Sequence, residues 1–236
     1  MKDRRSYQCP GCGFWIYSTQ RTVFEKTTTP LTHWFYAIYL QTTTRNGVAA
    51  KELERQLDVC YKTALRMAHQ IKRLMTQPVE EQFTGVVAMD ETYVGGLNHN
   101  RHKDKRIQNA QGRSARDKTP VFVMVNLSGR VKAYVVRGTG SEVLMPIIAK
   151  NVIKERCILV TDEHMGYRPL EREQYMHVTV CHGIGEYARG AFHSNTPESF
   201  NACLKRTIKG THIHVSVQHL QKYVDEVAFR WMHAKE

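Results

Sequence analysis

The chain has 236 residues, 42% of them hydrophobic, enough for one catalytic domain with its own core and a smaller accessory domain. With 34 Lys+Arg against 22 Asp+Glu, the formal net charge is +12, the balance expected of a surface that binds nucleic-acid phosphates. No run of about 18 apolar residues exists, which excludes a helical membrane span, and no apolar core follows the charged N-terminus, so a cytoplasmic protein with reduced thiols is expected.

Residues 1–28 read as a turn-rich module with aromatic strands around Phe14-Trp15-Ile16-Tyr17. Within it, Cys9-Pro10-Gly11-Cys12 has the spacing of a zinc knuckle. A closed zinc site needs four ligands, and Cys9 and Cys12 provide two, so this is expected to be an incomplete, ribbon-like segment. Residues 29–77 carry helical periodicity. A helix starts after Pro30, a short one ends at Leu57, and a longer one begins at Tyr61. Short helix, tight turn, longer helix is the helix-turn-helix pattern, whose second helix enters the DNA major groove. Gln77-Pro78-Val79-Glu80-Glu81 reads as a linker.

From residue 83 the period changes. Thr84–Met89 is a short β-branched run, and Val121–Val125 and Val131–Val136 flank the turn Leu127-Ser128-Gly129-Arg130. A helix over Ser141–Val152, a strand over Cys157–Thr161, and helices over Pro197–Thr207 and Val217–Met232 complete an α/β (α+β) layer pattern. Asp90 and Asp162 are each expected where a strand ends, and Glu198 near the N-terminus of a helix whose first turn suits Pro197. Lys205 follows seven residues later on the same helix face. Two strand-end aspartates and a third polar ligand can hold two divalent ions for in-line phosphoryl transfer. Hard oxygen ligands favour Mg²⁺, with Mn²⁺ as a substitute. Taken singly, each aspartate reads equally well as a turn or cap residue. The basic stretch Leu97–Lys118 reads as a polar loop that either clamps DNA or is simply solvated, and the scattered histidines of the last third form no strong metal-ligand frame, His193 being the best placed of them.

Asp90-Glu91-Thr92-Tyr93-Val94-Gly95-Gly96 resembles the signature of the ISXO-type bacterial insertion-sequence transposases of the DDE superfamily. Thr161-Asp162-Glu163 with Gly166-Tyr167, His193-Ser194-Asn195-Thr196 with Glu198, Leu204-Lys205-Arg206 and His219-Leu220 with Tyr223 follow in the family's order. The resemblance implies an RNase H-like mixed sheet with flanking helices over residues 83–236, preceded by the partial zinc ribbon and the helix-turn-helix. It implies a transposase that binds the terminal inverted repeats of an insertion sequence and joins them to target DNA, with Asp90, Asp162, Asn195 or Glu198, and Lys205 as the catalytic set. It also implies an upstream Cys-x-x-Cys that this chain lacks, which leaves Zn²⁺ without a complete site. Because transposition holds two ends together, a homo-oligomer on double-stranded DNA is expected. Two other activities fit the same residues: an inactive remnant that only binds DNA, and an RNase H-like nuclease without strand transfer.

Overall fold

A computed structural model describes residues 6–76, 81–96, 102–107, 118–180, 188–189, 192–193 and 195–234. The chain forms two compact units, residues 1–74 and 75–236.

In the first unit, β1 (Ser6–Gln8) pairs antiparallel with β2 (Trp15–Tyr17). The reversal between them is closed by Gly13 N donating to Cys9 O at 2.8 Å, with Gly13 at φ 70°, a backbone state that glycine adopts without strain. Three helices follow: α1 (Leu31–Thr43), α2 (Ala50–Leu57) and α3 (Tyr61–Leu74). Trp34, Ala37, Leu53, Leu57, Ala64, Met67 and Ile71 are buried at helical spacing. Trp34 is oriented by its Nε1, which donates to Thr27 Oγ1 at 2.9 Å, and by the edge of Phe24. Asp58, in the left-handed conformation, ends α2 and makes the tight turn into α3.

The second unit is built on a five-stranded mixed sheet of order β5-β4-β3-β6-β7. β3 (Phe83–Val94), β4 (Thr119–Asn126) and β5 (Val131–Val135) form an antiparallel meander. α4 (Ser141–Asn151) then crosses to β6 (Val152–Thr161), which lies parallel to β3, and β7 (Met176–Thr179) lies parallel to β6. A short α5 (Pro169–Arg172) connects β6 to β7. The strand pairs β8 (Ala188–Arg189) and β9 (Phe192–His193) precede α6 (Asn195–Thr207) and α7 (Val217–Met232). This is the RNase H-like arrangement, a mixed sheet with helices on both faces.

The near-continuous apolar run of β4 is explained by its two partners. Phe122 and Met124 face α4, with Leu144, Ile148, Val87, Met89 and Leu159, while Val121, Val123 and Val125 face Phe200 and Leu204 of α6 and Val224 and Val227 of α7. The open edge of β5 is closed by Gln221 of α7, whose Oε1 accepts from Val135 N at 2.8 Å and whose Nε2 donates to Ala133 O at 2.9 Å. A side-chain amide here mimics a sixth strand and removes a site for edge-to-edge pairing. Among the described residues no helix is long and apolar enough to cross a membrane.

Beside Gln221, Asp225 accepts from Gln221 Nε2 and from Thr76 Oγ1, and burial pushes its carboxyl above the usual range. A raised carboxyl favours the folded state fully below the unfolded value of about 3.9 and loses that contribution as pH rises through the folded value. Asp225→Asn, which can still accept from Gln221 and donate to Thr76, is therefore expected to unfold at a higher temperature than the parent at neutral pH. The difference shrinks as pH falls through the carboxylate range; thermal melts between pH 3 and pH 7 check this, and a constant or inverted difference would contradict it.

A carboxylate cluster in a lysine-walled cleft

Asp90 does not end its strand. β3 runs on to Val94, with Asp90 opposite Val123 of β4. What ends is the pairing on the other side: β3 and β6 are in parallel register from Val86 opposite Ile158 to Ala88 opposite Val160. Carried two residues further, the same offset of 72 brings Asp90 level with Asp162, just past the end of β6. Both residues keep the side-chain parity of Ala88 and Val160 and so emerge on the same face of the sheet. The 72 positions that separate Asp90 from Asp162 in the sequence are the register offset of the parallel strands β3 and β6.

Asp90 Oδ1 accepts from Glu91 N at 2.8 Å, and its Oδ2 accepts from Asn201 Nδ2 of α6 at 2.7 Å. Asp162 Oδ1 accepts from His164 N at 3.0 Å, an Asx turn that fixes the carboxylate at the strand end. Beside it, Thr161 Oγ1 and His177 Nε2 lie 2.8 Å apart and tie β6 to β7. Glu91 comes from the opposite parity of β3, where the Tyr167 hydroxyl donates to its Oε1. One ligand atom from each of Asp90, Glu91 and Asp162 falls within 4.8 Å of the others. Burial first, and then the charge of Asp162, push the Asp90 carboxyl above its usual range, with a smaller push from Glu198. Burial and the charge of Glu91 likewise hold the Tyr167 hydroxyl well above the usual phenol range.

The cluster opens into a cleft of about 530 Å³ whose walls include Lys118, Glu198, Asn201, Lys205, Lys209 and Ile213. α6 turns Glu198, Asn201 and Lys205 to the cleft because positions i, i+3 and i+7 share one helix face. Of the residues singled out in the sequence, Asp90, Asp162, Glu198 and Lys205 share this cleft. Asn195, exposed at the first position of α6, is not among the residues that line it. Glu91 and Asn201 were not anticipated. Strict strand alternation argues against Glu91 joining Asp90, but where β6 ends the sheet no longer separates its two faces. Asn201 is signalled only by its spacing of three from Glu198, once that helix is known to face Asp90.

The donor set suits a divalent cation. Three carboxylates converge at close range, burial and the charge of Asp162 raise Asp90, and Asn201 leaves its buried Oδ1 without a hydrogen-bond partner. Oxygen-only donors of this kind favour hard cations. Among the described residues it is the one group of three or more His, Cys, Asp or Glu side chains close enough to share an ion. Cys9 and Cys12 lie in the β1–β2 reversal, where hydrogen bonds from the Cys12 and Gly11 backbone and from the Cys12 side chain lower the Cys9 thiol. They remain two ligands of the four that a closed zinc site requires. The 181–187 segment, the His193 side chain and most of the basic 97–118 stretch lie outside the described residues.

Residues 82–232 match the family model of the ISXO2-like transposase domain. Over 235 residues the chain is 31% identical to a Halobacterium salinarum protein described as an uncharacterized protein in transposable element ISH50, a match covering 92% of this chain and 75% of that protein. With the carboxylate cluster inside the matched region and the relative aligned across both units, this chain belongs to the ISXO2-like transposase family.

Proposed function

We propose that this transposase cuts and joins DNA at the ends of an insertion sequence, using Mg²⁺ held by Asp90 and Asp162 with Glu91 and Glu198 beside them. The observation that carries this reading is the placement of three converging carboxylates in a cleft walled by Lys118, Lys205 and Lys209. When bound, Mg²⁺, or Mn²⁺ in its place, supplies Lewis acidity for an in-line displacement at phosphorus.

The chain's own groups do the rest. Lys205 and its neighbours attract and position the phosphodiester as point charges. Asn201 holds Asp90 in its rotamer through the 2.7 Å bond, and the Asx turn at Asp162 holds the second carboxylate. In the first reaction a water oxygen bonds to phosphorus and the bond to the 3′ oxygen breaks, freeing a 3′-hydroxyl. In the second, that hydroxyl attacks a target phosphodiester and a target 3′-hydroxyl leaves. Residues 29–77 provide the helix-turn-helix that binds the terminal inverted repeats, with α3 as the groove-reading helix, and the active assembly is a homo-oligomer on two DNA ends.

The test is incubation of the purified chain with a labelled duplex copied from the DNA flanking its coding region, with and without Mg²⁺. Cleaved and joined strands that disappear in Asp162→Ala are expected. Activity surviving that substitution would sink the mechanism. Nicks that are never joined would assign a nuclease, and binding without any cutting would assign an inert remnant.

A further inference from the structure

After α6 the chain widens into a π-helical turn, Ile208–His212, and the next residue, Ile213, has φ 63° and ψ −56°. His214 N donates to His212 O at 2.6 Å, closing a γ-turn around Ile213 in its rare φ-positive form. For a β-branched residue this conformation is a true outlier, and glycine would occupy it without strain. The side chain that forces the strain is not buried in return. Ile213 is 82% exposed, the highest value among the exposed large hydrophobic residues described. Neither backbone preference nor core packing accounts for isoleucine here. Strain of this kind clusters at functional sites.

The turn is not loose. The His212 ring packs edge-on against Tyr223 of α7 with centroids 4.7 Å apart, Ile208 is buried at its start, and Val215 packs against the core at its end. The result is a single aliphatic side chain held out from a braced turn, in the wall of the cleft that also holds Asp90, Glu198, Lys205 and Lys209. Apolar wedges of this type enter between base steps, unstack them and kink the duplex, and a kink is what brings a stiff duplex to half-buried carboxylates.

We infer that Ile213 is a wedge that inserts between base pairs beside the phosphodiester to be cut, while the lysines of the cleft hold the flanking backbone. This rests on the reading that the cleft takes DNA. Its test separates the two. The end duplex is prepared with 2-aminopurine at successive positions, and fluorescence is recorded on binding, before Mg²⁺ is added; cutting is then followed after Mg²⁺ addition.

The parent chain is expected to brighten the probe at one step. Ile213→Gly, which removes the wedge and relieves the turn, is expected to melt no lower than the parent and to lose that signal. It should cut the paired duplex roughly a hundredfold more slowly, since the cost of unstacking a step is no longer offset by the wedge. A mismatch at the same step should restore the rate, and Ile213→Leu should retain the signal. Equal brightening by the parent and Ile213→Gly would overturn the wedge whether or not DNA is cut. Brightening lost in Ile213→Gly, with no cutting by the parent, would leave the wedge standing and overturn the catalytic reading instead.

Discussion

Asp90→Asn is expected to lower strand cutting by roughly a hundredfold to a thousandfold, the scale seen when one electrostatic partner of a developing charge is removed, while making the metal-free protein more stable. The two effects share one cause. In the folded chain the Asp90 carboxylate is desolvated and faces Asp162, a combination that a cation relieves and that costs folding energy without one. Asparagine removes the charge and keeps the shape. The Asn201 amide, whose Oδ1 has no partner, can turn over to accept from the new side-chain N–H in place of the bond it now donates. A gain of about 1 kcal/mol, or about 2–4 °C in the thermal midpoint, is expected. Mg²⁺ should raise the midpoint of the parent by ligand linkage and leave that of Asp90→Asn nearly unchanged. Thermal melts with and without Mg²⁺, run beside the cutting assay, check both halves. A variant that cuts at the parent rate, or that melts lower than the metal-free parent, would contradict the assignment of Asp90 as a ligand.

The second large effect belongs to the core. Phe200, on the inner face of α6, is fully buried and meets the Trp231 ring edge-on at 5.7 Å. Phe200→Ala is expected to cost about 3–5 kcal/mol, the lost transfer energy plus the cavity left behind, out of a total stability on the order of 5–15 kcal/mol. Phe200→Leu, which keeps most of the volume, should cost less than about 1.5 kcal/mol. Urea unfolding measures both. Because α6 also carries Glu198, Asn201 and Lys205, the alanine variant should lose cutting at temperatures where it is still folded, whereas the leucine variant should keep most of it. A cost below about 1 kcal/mol for the alanine variant would show that α6 does not depend on this contact.

Much of the second unit was legible from residue types. Val121–Val125 and Val131–Val136 were legible as the arms of a hairpin, which the turn at Gly129 (φ 84°) closes between β4 and β5, and α7 occupies Val217–Met232 as expected. The strand carrying Asp90 was read too short. Thr84–Met89 is its apolar part, but β4 supplies hydrogen-bond partners as far as Val94, so polar residues that would end an isolated strand continue this one. Helix α6 begins at Asn195, two residues ahead of the start read near Pro197, and holds Pro197 in its first turn as expected, where its missing N–H has no partner to lose.

The chain's own sequence determined the chemistry available at the cleft: Asp90 and Asp162 at a spacing of 72, and Glu198 and Lys205 on one helix face. The helix-face relation is set by periodicity, which residue order carries directly; that the spacing of 72 brings the two aspartates level was decided by the β3–β6 register. The tertiary structure alone decided which further groups join them. Glu91 reaches the cluster because β6 stops where β3 continues, Asn201 because α6 packs its polar stripe over Asp90, and Ile213 stands in the cleft because a strained turn holds it there. Each depends on where one element ends against another, and that is settled by packing between segments far apart in the chain.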